Sequence, residues 1–327
     1  MTGANAGYRA AREAAAWIDR SQRARIEFTG DKAADTLNGL LTNDILALKP
    51  GAGCYAAALT AKGKIIADVR VFARDGSYLV DTSAAAGPGL LAMLKKYVNP
   101  RLATYRDVTA ETGSIGVFGP HSASVVARSA GVAEADLVAL GAFSHLKTAL
   151  DDAVIDIARI PDLGGMGFEL FSSQSAVATI AGRLGNAGAV PLSPDDADTM
   201  RVEAGRPLFG ADMDENVLAQ EAALDTLGAI SFNKGCYTGQ ETVARVHFRG
   251  HVNRTLRGLR SGTPIDSGAE LVVDGKPVGT VRSAAHSPTF GEIALAYVRR
   301  EIETGASVTI RSATGQGKAT VAALPFA

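Results

Sequence analysis

Lys234-Gly235-Cys236-Tyr237-Thr238-Gly239-Gln240-Glu241 is the stretch on which the reading turns. Thr238 and Glu241 have the spacing of a capping box, and Thr242-Val243-Ala244-Arg245-Val246 continues as helix-compatible sequence. Cys236 then falls just ahead of a helix N-terminus with Lys234 close by, and both neighbours favour thiolate over thiol. Gly235 and Gly239 allow backbone to approach a ligand closely. From spacing alone, an inert cysteine in a tight turn is the better-supported reading, because buried cysteines are common. The octapeptide thus leaves open a reactive thiol beside a small molecule and an ordinary capped helix.

Upstream, Ser193-Pro194 reads as an N-cap with proline at the first helical position, opening a helix that stops at Gly205. Downstream of Gly250 the texture changes to short strands at 255–259, 270–273, 278–281, 293–298, 307–310 and 318–322, with a turn at Asp274-Gly275. Short strands at close spacing predict a small antiparallel β-barrel, so the chain divides into residues 1–250 and a barrel domain at 251–327.

The first half carries a pattern that recurs. A strand at 23–28 leads through Gly30-Asp31 into a helix with Ala34, Leu37, Leu40 and Leu41 at helical spacing. Strands at 53–59 and 65–73 follow, joined by Thr60-Ala61-Lys62-Gly63-Lys64, then a strand at 78–82 and a helix at 88–98. The order returns as a strand at 114–118, Gly119-Pro120, a helix at 122–130, strands at 154–160 and 168–172, and a helix at 174–185. The fold class is α+β, with two similar units that are either consecutive or interleaved.

Bulk properties exclude several function classes. With 327 residues the chain has room for two or three domains. A formal net charge of −1 gives no overall field toward nucleic acid or an anionic membrane. No stretch approaches the roughly 20 apolar residues of a membrane span. Met1 to Arg25 lacks a signal core, and Glu13 and Asp19 interrupt any transit-peptide reading. Cys54 and Cys236 are the only cysteines, which is no disulfide framework and points to a reducing, cytoplasmic location. They also fall short of the four ligands an iron–sulfur cluster usually takes. No Walker loop, nucleophile elbow or H-E-x-x-H motif occurs. His247 and His251 are separated by Gly250, so no metal site is expected.

The octapeptide resembles the K-G-C-Y-x-G-Q-E signature of the YgfZ family, matching every fixed position. Arg201-Val202-Glu203-Ala204-Gly205-Arg206-Pro207 resembles that family's R-x-E-x-G-x-P stretch. Gln220-Glu221 and Arg245 flank the signature as expected, and Gly30-Asp31-Lys32-Ala33 and Leu41-Thr42-Asn43-Asp44 resemble its opening motifs. The family is related to the aminomethyltransferase (T-protein) of the glycine cleavage system. The resemblance implies a ring of three domains with tetrahydrofolate, or a one-carbon derivative, as ligand. The implied role is assembly or repair of iron–sulfur clusters in client enzymes, tRNA-thiolating ones among them.

Residue by residue, the resemblance implies Cys236 and Lys234 as the catalytic pair and Glu221 as the carboxylate that grips the pterin. A pterin edge presents adjacent N–H donors that suit a bidentate acceptor. Asp68 aligns with a T-protein aspartate near the reacting nitrogen, though an ordinary strand-face aspartate fits equally. Tyr237 either packs on the folate rings or fills core. Gln240 and Arg245 complete the folate-binding set, and Lys234, Arg245 or Arg249 would meet the anionic tail. Cys54, in an apolar strand, reads as core. Arg201 and Glu203 do not face one another on a helix, and Arg201 with Gly205 shapes packing beneath the site. Expected partners are folate and client enzymes, with no nucleic acid or membrane, for a monomeric protein. The competing functions are a one-carbon transferase of the T-protein type and a scaffold with a vestigial folate site.

Overall fold

A buried ladder of charge runs through the first half of the chain, and it explains how two sheets made by separate stretches stay together. The computed structural model describes residues 5–313 and 315–326. The chain clusters into two units. The first comprises the residues up to Ala58, Ile66–Ala197 and Ala229–Thr238; the second comprises Leu59–Ile65, Asp198–Gly228 and the residues from Gly239 onward.

In the first unit the elements are α1 (Ala6–Glu13), β1 (Ala16–Asp19), β2 (Ala24–Thr29), α2 (Ala33–Leu40), β3 (Gly53–Leu59), β4 (Ile65–Arg74), β5 (Ser77–Thr82), α3 (Gly87–Tyr97) and β6 (Thr104–Asp107). Then come β7 (Thr112–Phe118), α4 (Ser122–Ala130), α5 (Glu134–Ala139), β8 (His145–Leu150), β9 (Ala153–Arg159), β10 (Gly167–Ser173), α6 (Val177–Asn186), β11 (Val190–Pro191) and the start of α7 (Pro194–Glu203). One sheet has the order β3-β4-β5-β2-β6 and the other β11-β1-β7-β10-β9-β8. These are the two α+β units expected from the recurring pattern. They interleave: β1 precedes the first sheet in sequence yet pairs with β7 and β11 in the second.

Each sheet buries one face beneath helices. Ile115, Val117, Phe168 and Leu170 of the second sheet pack with Val126 of α4 and Ile180 and Leu184 of α6. Leu37 of α2 and Leu90 and Leu94 of α3 are buried likewise. Ser193 caps α7 as expected, its Oγ accepting from the Asp196 N–H at 3.0 Å.

The charge ladder lies on β4, β5 and β10. Arg70 Nε donates to Asp81 Oδ1 at 2.7 Å, and its Nη1 donates to Asp162 and Glu169, each at 3.0 Å. Arg20 pairs with Asp162 and Glu169 at 2.8 and 3.0 Å, and Arg23 with Asp81 at 2.6 Å. The Asp81 and Glu169 side chains are wholly buried. Three guanidinium groups therefore balance three carboxylates, the condition under which buried charge is tolerated.

In the second unit, α8 (Gln240–Arg249) is followed by β12 (Arg254–Ser261), β13 (Glu270–Val273), β14 (Lys276–Ser287), β15 (Gly291–Arg299), β16 (Ser307–Ser312) and β17 (Gly315–Ala322). These strands close an antiparallel barrel in the order β12-β15-β14-β13-β16-β17. Leu259, Leu271, Val281, Ala296, Ile310 and Val321 fill it. Asp274 and Gly275 both take positive φ, the mirror-image turn that suits the strand twist. Among the described residues, no helix is long and apolar enough to cross a membrane.

Candidate functional site

The cysteine loop is positioned by backbone stitching. Thr42 Oγ1 donates to Ala229 O at 2.6 Å and accepts from the Ala57 N–H at 2.8 Å. The Ser231 N–H reaches Thr42 O and the Thr238 N–H reaches Gly39 O, both at 3.0 Å. Between these ties sits Lys234. Its Nζ donates to the carbonyls of Asn38, Leu41 and Asn43 at 2.6, 2.8 and 2.6 Å. An ammonium has three N–H donors and no acceptor, so this cage uses all of them. The motifs at 41–44 and 234–241, far apart in sequence, thus meet through one side chain.

This geometry gives Lys234 a different standing from the one expected. The sequence makes it a charge that favours thiolate at Cys236. With every N–H engaged by a carbonyl, it acts as a clip that fixes the loop. Burial pulls its pKa down to about 8, with Asp44 opposing the shift. Tyr237 is buried, lies 5.2 Å from the Lys234 ammonium, and has its phenol pushed up to about 12 by burial. Cys236 itself is exposed. Cys54 is half-buried, and desolvation pushes its thiol up to about 12.

Thr238 does not form the expected capping box. The N-cap of α8 is Gly239, at φ +85°, with no side-chain cap. A Cβ on Gly239 would meet Thr60 O at 2.6 Å, and one on Gly63 would meet Thr242 Cβ at 2.9 Å. The two glycines let the 60–64 hairpin pack against the start of α8, and that close approach displaces the capping geometry. Cys236 precedes α8 by more residues than a capping box requires, and the helix-end field is confined to the first turn. Gly239→Ala is expected to destabilise the protein by at least about 1–2 kcal/mol through its left-handed φ alone. Urea unfolding should show a lower midpoint; an unchanged midpoint would remove the close approach from the account.

Asp68 lies on β4. Tyr55 donates its hydroxyl to Asp68 Oδ2 at 2.9 Å, while Oδ1 is buried with no side-chain partner among the described residues. Burial raises the Asp68 pKa, against the opposing pull of Arg23 and the Tyr55 hydrogen bond. A buried, unpaired carboxylate oxygen is costly unless something donates to it.

In the second unit Glu221 is nearly buried. Its Oε2 accepts from the Leu218 N–H at 3.0 Å, and Arg254 grips both oxygens at 3.1 and 3.3 Å. Sequence reasoning missed Arg254, which lies on a different element and has no local signal. Gln220 Nε2 donates to Val243 O at 3.0 Å and so fixes α8. Gln240 opens α8, and Arg245 and Arg249 are exposed on it. Arg201 and Glu203 go to separate partners, as their spacing requires. Arg201 bonds Asp212 at 2.6 Å and Ser283 at 2.8 Å, and Glu203 accepts from Ser287 at 2.5 Å.

Comparison with known proteins places this arrangement. A family model described as the GCVT N-terminal domain matches residues 1–234. One described as the glycine cleavage T-protein C-terminal barrel domain matches residues 254–327. An aminomethyltransferase from Rubrobacter xylanophilus is 31% identical, over 94% of this chain and 82% of that protein. A putative chloroplastic transferase from Arabidopsis thaliana is 26% identical, over 90% of this chain and 67% of that protein. The crystal structure of aminomethyltransferase T from Bartonella henselae superposes with a TM-score of 0.88 at 24% identity, covering 98% of this chain and 88% of that one.

Proposed function

The chain belongs to the glycine cleavage T-protein (GCVT) family, and from that premise we propose that it is a tetrahydrofolate-binding accessory protein for the assembly or repair of iron–sulfur clusters, of the YgfZ type. The observation that carries this reading is the exposed Cys236 thiol on a loop that Lys234 pins in place. A thiol held outward by a dedicated clip is suited to meeting a client protein. Two cysteines are too few to ligate a cluster alone, so the cluster belongs to the client.

Bound tetrahydrofolate would supply a nitrogen that carries one-carbon units. The residues present fit such a ligand: the unpaired Asp68 Oδ1 is an acceptor for a ring N–H donor. The family resemblance assigns the pterin to Glu221, whose two oxygens Arg254 holds. Titration with tetrahydrofolate should show saturable binding, weakened about tenfold or more in Glu221→Ala, roughly the worth of a lost charge-assisted pair. Unchanged affinity would remove Glu221 from the site.

The role of the thiol has its own test. In cells lacking the gene, cluster-dependent enzymes should lose activity, the native gene should restore it, and Cys236→Ser should not. Full rescue by Cys236→Ser would take the cysteine out of the mechanism. The second reading, a true aminomethyl transferase, is favoured by the relatives that carry that name. It requires the purified protein to move an aminomethyl carbon from a lipoyl carrier to tetrahydrofolate. Folate binding without that turnover would exclude it.

A further inference from the structure

The second unit contains a cleft of about 620 Å³ that none of the functional assignments uses. Its floor is apolar: Leu227, Val246, Leu256, Leu324 and Pro325. Its basic lining is Arg257, Arg300, His247 and His251, with Asp225 as the one acid among the lining residues.

The two arginines are set apart by what they lack. On the same strand as Arg257, Arg254 pairs with Glu221, and beside Arg300, Arg299 pairs with Glu301. Among the described residues, neither Arg257 nor Arg300 has a carboxylate within ion-pair distance or a side-chain hydrogen bond. Arg257 Nε is buried without a partner, and so is the hydroxyl of Thr255, which also lines the cleft. A buried guanidinium N–H left unpaired is unfavourable, and a planar cation of this kind best matches a carboxylate or phosphate. The volume is that of a small-molecule site, in which an apolar wall and a few convergent polar groups are the usual composition.

We propose that this cleft binds a small organic anion, a carboxylate or phosphate monoester with an apolar body, its head on Arg257 and Arg300 and its body on the Leu227–Leu256–Leu324 floor. The cleft has its own lining, although Arg300 also borders a smaller pocket that holds Glu221 and Arg254. Glu221 is absent from the lining of the cleft, and both arginines lie outside the folate-binding set.

Anilinonaphthalene sulfonate, an anion on an aromatic body, is a suitable probe for the full-length protein. One saturable site is expected by fluorescence, weakened about tenfold or more in Arg257→Met/Arg300→Met and unchanged in Glu221→Gln. Arg300 is exposed, so Arg300→Glu alone tests the charge without threatening the fold and should weaken the probe similarly. Octanoate or phenyl phosphate should displace the probe, the more effective of the two identifying the head group, and octanol should not. Unchanged affinity in both arginine variants, loss of the site in Glu221→Gln, or displacement by octanol alone would each overturn the proposal.

Discussion

Replacing Arg70 by methionine should cost about 3–5 kcal/mol of stability, the usual penalty for breaking a buried charge network from one side. Arg70 is 3% exposed and touches Asp81, Asp162 and Glu169. Its removal leaves three carboxylates against Arg20 and Arg23, with Arg25 the next guanidinium in electrostatic reach. Burial works against the charge of Arg70, but the three carboxylates outweigh it and hold the guanidinium firmly protonated. The expected result is a drop in urea midpoint with little change in slope. A change under about 1 kcal/mol would mean that water or relaxation compensates the carboxylates, and the network would lose its structural role.

The same network sets an acid limit. Burial raises the carboxyl pKa values of Asp81 and Asp162, but the surrounding arginines prevail and hold both below the usual carboxylate range. A carboxylate depressed in the folded state stabilises above its unfolded value, near 4, and loses that contribution as pH falls through the folded value. Stability should therefore decline on acidification below about pH 4, and Arg70→Met should flatten that decline. Asp68 has the opposite sign. Its raised value gives a contribution present at low pH and lost as pH rises.

Lys234→Met should produce the second large effect, about 2–4 kcal/mol, because three carbonyls lose a charged donor at once. Lys234→Arg should not restore it, since a planar fork does not reproduce a compact ammonium within three converging carbonyls. The loop at 229–238 should become more sensitive to protease, and Cys236 should change its rate of reaction with a disulfide reagent. A thiol rate equal to that of the native protein in a folded Lys234→Met variant would show that the clip does not govern how Cys236 is presented.

The barrel was readable because its short strands follow one another at close spacing and because Asp274-Gly275 announces a turn. The α7 start was readable for a local reason too, the Ser193-Pro194 pair. What escaped had no local pattern. β6 is an edge strand with largely exposed residues, and β1 is only four residues long beside an Ala- and Arg-rich helix. The Lys234 cage and the Glu221–Arg254 pair join residues far apart in the chain, so neighbouring sequence carried no trace of them. Local sequence therefore presents Lys234 only as an electrostatic neighbour of the thiol. Arg70 stands between Val69 and Val71 in an apolar strand, which is the signal by which a buried cation facing carboxylates is recognised.

The place of β1 constrains the order of assembly. Residues 16–19 must wait for residues 115–118, and the β1–β11 edge for residues 190–191, before their strand pairs can form. Such late closures carry a chain-entropy cost and slow folding. A nascent chain released early would hold a strand without a sheet, and one trimmed before residue 20 would leave β7 and β11 without the strand that joins them. The N-terminal segment is thus a keystone set first and locked last.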